Sequence, residues 1–574
     1  MRKGSVLLLT TALVLSLGSL PSAQAATRNP GDLDSGFGAA GTRVVARWSS
    51  GESVGGVGIL SDALDNAVIV SGGTHEGGLY SPPGISKVLL SKYGSNGTNG
   101  NFGTTGGTTM TLEQGSAANA MVVQADDRVV SAGWVQQGSA RRFLVTRHTT
   151  SKDLSGWVDY SFGGGPGRGN KDGASWIPVG SGNDAEANAV QMTPNQLIVA
   201  AGRASNGSNN DFALVRFKAN GEVDPTFGSA NGVVTDFGGT DDVVRALAVQ
   251  PDWKYVVAGT SNGRVALARY LPNGSLDPTF GAGGKVITTV SSTDEARGIV
   301  LQPDGRILVA GSTSMGGVRN TMLLRYLANG SPDASFGAGG RVVASFSPNN
   351  DAASSVALQP DGRILVAGYS DGAARRGFLV ARFHASGAVD ASFGFAGSVL
   401  TTFARSAEAT SMAVQPDGKI VLVGTIQKTG GGTDLAMARY HNDQPLAHIT
   451  TPGRRIKRKN FHLLAGSVSG ANVTHARFAI QKLNPRLQRR GTCQWMMPAG
   501  FVLRTKAYAN KKRRMVCEPK TWYDVRSWSV SRGVGYWSVP IRGFKPGTYV
   551  ISVRGIANKV NQETPTKKRV RVVR

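Results

Sequence analysis

Cysteine is nearly missing from this chain, which has two in 574 residues, Cys493 and Cys517. In an exported chain a disulfide between them is the favoured reading, because a metal pair or a reactive thiol would need further ligands or a basic partner. Closing that loop stabilises by about 3 kcal/mol in the chain-entropy model. Long apolar runs are also scarce. Arg2 and Lys3 precede the only one, Val6 to Leu20, and Ala23-Gln24-Ala25 follows with the small-x-small pattern of signal peptidase cleavage. Residues 1–25 read as a signal peptide, and no later stretch approaches the roughly 20 apolar residues of a membrane span. A secreted or envelope-associated protein is expected.

Catalytic motifs are missing as well. The seven histidines are scattered and no His-Glu-x-x-His occurs, so a zinc hydrolase has no support. Gly163 to Gly173 is glycine-rich but lacks the Gly-Lys-Ser/Thr ending of a phosphate loop. Gly259-Thr-Ser261-Asn-Gly263 matches Gly-x-Ser-x-Gly, yet it lies in a turn between two strands, where a nucleophile elbow needs a strand-to-helix turn. No catalytic residue, metal or cofactor is expected. Zinc-finger spacing, RNP-like sequence and helix-turn-helix period are absent too, which leaves nucleic acid only as a non-specific partner.

What the chain does have is repetition. Phe-Gly recurs at Phe37, Phe102, Phe162, Phe227, Phe280, Phe336 and Phe393. One unit shows the pattern: Lys285 to Val290, Gly298 to Gln302, Arg306 to Gly311 and Thr321 to Tyr326 are apolar runs of strand length bounded by Gly, Pro, Asp or Asn, with no helical period. Gln302-Pro-Asp-Gly305 supplies a tight hairpin turn, and the element returns at Gln359 and Gln415. Four antiparallel strands make a propeller blade, and the count predicts seven blades over residues 27–443. The first Phe-Gly precedes any complete unit and the last Arg439-Tyr440 has none after it, so the N-terminal fragment around Thr42 to Val45 is expected to complete the last blade and close the ring.

These residues resemble the bacterial delta-60 repeat proteins, whose units read like Leu-Gln-Pro-Asp-Gly-Arg-Ile-Leu-Val-Ala-Gly, then Arg-Tyr, then Asn-Gly-x-x-Asp-x-x-Phe-Gly. The unit is also similar to the repeat of NHL propellers. The resemblance implies an all-β propeller and no activity or catalytic residue.

Two sets of acidic residues recur. Asp34, Asp159, Asp224, Asp277, Asp333 and Asp390 stand three residues before a Phe-Gly and read as turn fasteners, calcium binding being the alternative. Glu52, Asp184, Asp242, Asp294, Asp351 and Glu408 stand just before the second strand of successive units. They either cap their own turns or ring one mouth of a central channel, where they would receive a cation, a basic ligand or the chain's own basic region.

Charge divides the chain. Residues 445–574 hold 28 Lys and Arg against Glu518, Asp524 and Glu563, so nearly all of the net +26 lies there. Its basic runs include Arg454, Arg455, Lys457, Arg458 and Lys459, and Lys511, Lys512, Arg513 and Arg514. Strand-like segments between them, and Phe544-Lys-Pro-Gly-Thr-Tyr549, which resembles a strand start of bacterial immunoglobulin-like domains, predict a basic β-sandwich over 446–574. Its charge is either a solvated surface or a module for anionic polymers such as wall polysaccharide. The function expected is an exported binding or scaffold protein, the propeller offering loops to a protein partner and the basic domain attaching to an anionic cell-surface polymer. A carbohydrate-active propeller using channel-mouth carboxylates and a purely structural envelope component are the alternatives.

Overall fold

The computed structural model describes residues 30–45, the strands of 52–110 with a few flanking residues, most of 112–442 apart from short loops, and the strand backbone of 446–573. The signal segment 1–25 lies outside these residues. Among them no helix is long and apolar enough to cross a membrane.

Each repeat folds as an antiparallel four-stranded sheet. In one such blade the strands Asp294–Leu301, Ile307–Met315, Val318–Tyr326 and Arg341–Ala344 pair in chain order. The second and third strands are apolar on both faces and fully buried, as in Ile307 to Ala310 and Met322 to Leu324, because a neighbouring blade covers each face. The outer strand is short and half exposed.

Six blades are built in this way from four consecutive strands. The expectation of seven is corrected to six blades continuous in the chain. The strands Ala407–Val414, Ile420–Gln427 and Thr433–Tyr440 lack a fourth of their own and take Thr42–Val45 from the N-terminal side, with Thr42 opposite Ala438 and Val45 opposite Leu435. The physical reason is the offset of the repeat: the chain starts on an outer strand and ends its repeats on a third strand.

A triad recurs where five of the six blades meet the next. Arg325 Nε donates to Asp333 Oδ2 at 2.8 Å, and its guanidinium lies 4.4 Å from the centre of the Phe336 ring. Its Nη1 donates to Ala385 O in the next blade at 2.6 Å. The Gly337 amide reaches the same turn at Ser386 O, 3.0 Å away. Asp333 Oδ1 meanwhile accepts from Ser335 N. The recurring aspartates therefore fasten their turns, and in addition each holds a buried arginine. Arg147–Asp159, Arg216–Asp224, Arg269–Asp277 and Arg382–Asp390 repeat the pair.

From 446 to 573 the described backbone forms a sheet in which Leu446–Thr451, Leu463–Ser469, Val534–Pro540 and Ser527–Ser531 pair in that order, and a larger mixed sheet around Val473–Lys482 and Gly547–Ala557. Arg455–Lys457 joins the larger sheet parallel to the segment from Arg571 to Val573. Cys493 is described by backbone only and Cys517 lies outside the described residues, as does the bridge between them.

Candidate functional site: the central channel

The innermost strand of every blade and of the composite sheet carries a β-bulge at one place. It falls between Ala118 and Ala120, Ala187 and Ala189, Val244 and Ala246, Ala296 and Gly298, Ala353 and Ser355, and Ala409 and Ser411, with the backbone of Gly55 at the equivalent step. A bulge re-aims one side chain. Here it places Asn119, Asn188, Arg245, Arg297, Ser354 and Thr410 on the wall of a central cavity of about 650 Å³.

Four of these are uncharged, and three of them stitch neighbouring blades. Asn119 Nδ2 donates to Ala187 O at 3.0 Å, Asn188 Nδ2 to Val244 O at 3.0 Å, and Ser354 Oγ to Ala409 O at 2.5 Å. The two arginines break the pattern. Arg297 turns to Glu295 Oε2 at 2.9 Å. Arg245 is exposed on the channel wall and has no ion pair or hydrogen bond among the described residues. Burial, with the Arg297 guanidinium next, pushes its pKa down.

Two residues before the bulge stand Glu186, Glu295 and Glu408, at the mouth. Each is held by arginine: Glu186 by Arg141 and Arg203, both at 3.1 Å, Glu295 by Arg297 and by Arg319 at 3.4 Å, and Glu408 by Arg376 at 3.1 Å. Burial would raise the Glu295 pKa, but Arg297 and Arg319 outweigh it and hold it below the usual range.

The carboxylates singled out in the sequence are not brought together. Asp242, Asp294 and Asp351 sit three residues before the bulge, are 0 % exposed, and accept backbone amides of their own loops from Phe237, Val290 and Phe346. Asp184 lies one residue further out and pairs with Arg203 at 2.8 Å. Glu408 alone among them lines the channel. One step of register sends a strand side chain to the opposite face, so a set aligned to within one position scatters. Glu52 pairs opposite Thr74 in its strand, and its side chain lies outside the described residues. Sequence reasoning missed Arg245, Arg297, Glu186 and Glu295. The signal for the bulge was the glycine at the fifth position of each second strand, Gly259 and Gly311 among them, which faces it. Ser261 is 1 % exposed at a strand end, unsuited to a nucleophile. Side chains of Arg454 to Lys459 and of Lys511 to Arg514 lie outside the described residues.

A β-propeller family described as a domain of unknown function (DUF5122) matches residues 197–227, 250–280, 302–336, 359–393 and 415–443. No curated protein matches the chain. Among solved structures, the extracellular domain of a hybrid two-component system from B. thetaiotaomicron is similar at 12 % identity and TM-score 0.35, covering 93 % of this chain. The chain spans only 57 % of that protein. Polysaccharide lyase Uly1 is similar at 10 % identity and TM-score 0.37, with 69 % of this chain and 91 % of the lyase covered. Sqt1 from Chaetomium thermophilum follows at 12 % identity and TM-score 0.35, with 69 % and 97 % covered. At these scores the likenesses carry no argument about activity.

Proposed function

We propose that the chain is an exported binding protein whose channel receives a compact anionic group, while the basic region 446–574 attaches to an anionic envelope polymer. One observation supports the channel reading above others: Arg245 stands near Arg297 and makes no ion pair of its own among the described residues, with Glu186 and Glu295 acting on it only at a distance. The cavity lining holds Arg245, Arg297, Arg319 and Arg376 against Glu186 and Glu408. A guanidinium offers a planar fork of donors that matches a carboxylate or phosphate. The mouth carboxylates are neutralised by arginine, and none is set apart as a proton donor, which favours binding over glycan cleavage.

Calorimetry on the full chain tests the channel. A uronic acid oligosaccharide should bind, its neutral counterpart should not, and Arg245→Ala with Arg297→Ala should weaken binding at least about tenfold, the loss of one charge-assisted contact. Release of reducing ends from the oligosaccharide would overturn the binding reading. Replacement of Lys511, Lys512, Arg513 and Arg514 should weaken retention on wall polymer and flatten its salt dependence, leaving the channel site intact.

A further inference from the structure

We propose that Asp211, Asp236 and Asp242 bind a divalent cation of the calcium class where two blades meet. Asp211 lies in the third strand of one blade, Asn210–Phe217, Asp236 in the loop that leaves that blade, and Asp242 opens the inner strand of the next, Asp242–Val249. One oxygen from each lies within 4.8 Å of the others. That is the span of ligands about 2.4 Å from one calcium ion.

The carboxylates are oriented by the protein, each through one contact. Asp211 Oδ2 accepts from Asn206 Nδ2 at 3.0 Å, Asp236 Oδ1 from Gly238 N at 2.6 Å, and Asp242 Oδ2 from Phe237 N at 2.7 Å. Asp211 Oδ1 and Asp242 Oδ1 are buried and have no partner. The Ser261 hydroxyl is buried directly across the strand pair from Asp242 and is directed at its carboxylate, without a hydrogen bond of ordinary length. None of the three carboxylates forms an ion pair among the described residues. Lys285 Nζ donates to the carbonyl of Asp236 and not to its carboxylate. Leaving this much acidic oxygen buried and unsatisfied is costly, and an oxygen-seeking cation removes the cost.

The neighbouring blades supply the comparison. Asp294 occupies the place of Asp242 one blade on, and its Oδ1 accepts from Ser291 Oγ at 2.9 Å and Thr313 Oγ1 at 2.6 Å. Asp351 accepts from Ser347 Oγ at 3.0 Å. At Asp242 the residue matching Ser291 and Ser347 is Gly238, with no hydroxyl to give. The strand registers put Arg264 or Asn320 where Asp211 stands, and Thr289 or Ser345 where Asp236 stands. Only here, among the described blades, is a donor removed and two acids added at once.

The test uses the full chain stripped with EDTA and titrated with calcium by calorimetry and thermal melting. One site per chain should be filled with an affinity in the roughly 0.1–1 mM range of extracellular calcium modules or tighter, and the melting temperature should climb with calcium. Asp236 is exposed, so Asp236→Asn should fold. It should bind calcium at least about tenfold more weakly and, without calcium, melt at or above the wild-type temperature, because a repulsion is relieved. Asp252→Asn, in an exposed turn, should leave calcium binding unchanged. Absence of binding up to about 5 mM calcium, or equal binding by Asp236→Asn and the wild type, would overturn the site.

Discussion

Arg439 and Asp34 are 405 residues apart in the chain and meet as a buried pair, with Arg439 Nε donating to Asp34 Oδ2 at 2.9 Å and Nη2 lying 2.8 Å from the same oxygen. Phe37 lies under the guanidinium at 4.6 Å, and Lys419 Nζ approaches Asp34 at 3.0 Å. The triad that elsewhere sits within one blade is here divided between the two ends of the repeat region. The Gly394 amide reaches Pro30 O, and the Gly38 amide reaches Asn96 O, so the N-terminal fragment touches a blade on each side. Ring closure therefore hangs on residues 30–45.

Asp34→Asn should cost about 3–5 kcal/mol, because it strands the buried Arg439 charge. Burial would raise the Asp34 pKa, but Lys419 and Arg439 outweigh it and bring it down to about 2. A folded pKa below the unfolded one means that this contribution is complete above pH 4 and is lost as pH falls toward 2. Urea melts at pH 7 and pH 3 should therefore show a smaller difference between Asp34→Asn and wild type at the lower pH. An equal difference at both would place the stabilisation elsewhere.

Gly311→Ala should be among the most damaging small substitutions. A Cβ there would stand 1.7 Å from the carbonyl oxygen of Glu295, and the same approach recurs at 1.9 Å for Gly133, Gly202, Gly259, Gly368 and Gly424. The obstacle is backbone of the bulged inner strand, which cannot swing aside. A loss above about 3 kcal/mol is expected, read as a fall in melting temperature. Gly316→Ala, in an open turn with nothing within 4 Å, should cost far less and is limited by its positive φ.

The sequence displayed the strands because each second strand, such as Ile307 to Gly311, is a short apolar run between turn residues. It also displayed the division of the last sheet, since Phe37 and Tyr440 are unmatched markers. It hid the channel for a geometric reason. The strand period assigns faces only while register is regular, and one extra residue at Arg245 or Arg297 turns a side chain that alternation would place elsewhere. The arginine of Arg-Tyr read as the end of a strand, because its aspartate lies 8 residues downstream in four of the described blades and its carbonyl acceptor about 60. Neither spacing is a local pattern.

His148 should make stability depend on pH above the carboxylate range. It replaces the tyrosine that in other sheets bonds a threonine, as Tyr326 does with Thr288 at 2.7 Å. Its ring is fully buried with both nitrogens unpartnered, and burial pushes its pKa down to about 4. Its unfolded form takes up a proton near pH 6.5, so stability is present above that value and declines as pH falls toward 4, by about 3 kcal/mol in total. His148→Phe should remove that slope. An unchanged slope between pH 6.5 and 4.5 would assign it to other groups.

Arg245→Asn should stabilise the propeller while removing the anion binding proposed for its channel. Asn188 occupies the equivalent bulge one blade earlier and donates to Val244 O in the next blade. An asparagine at 245 has the same reach to Ala296 O, and it removes a guanidinium that stands near Arg297 without an ion pair of its own. The new hydrogen bond and the relief of like-charge repulsion should together add about 1 kcal/mol. If the channel binds an anion as proposed, that binding should fall at the same time, since Arg245 is the cavity arginine without an ion pair of its own. Such a rise in stability with a loss of binding is expected of a functional group kept at the expense of packing. Destabilisation by Arg245→Asn would instead make the arginine a structural part of the channel wall, and the anion site would have to lie elsewhere.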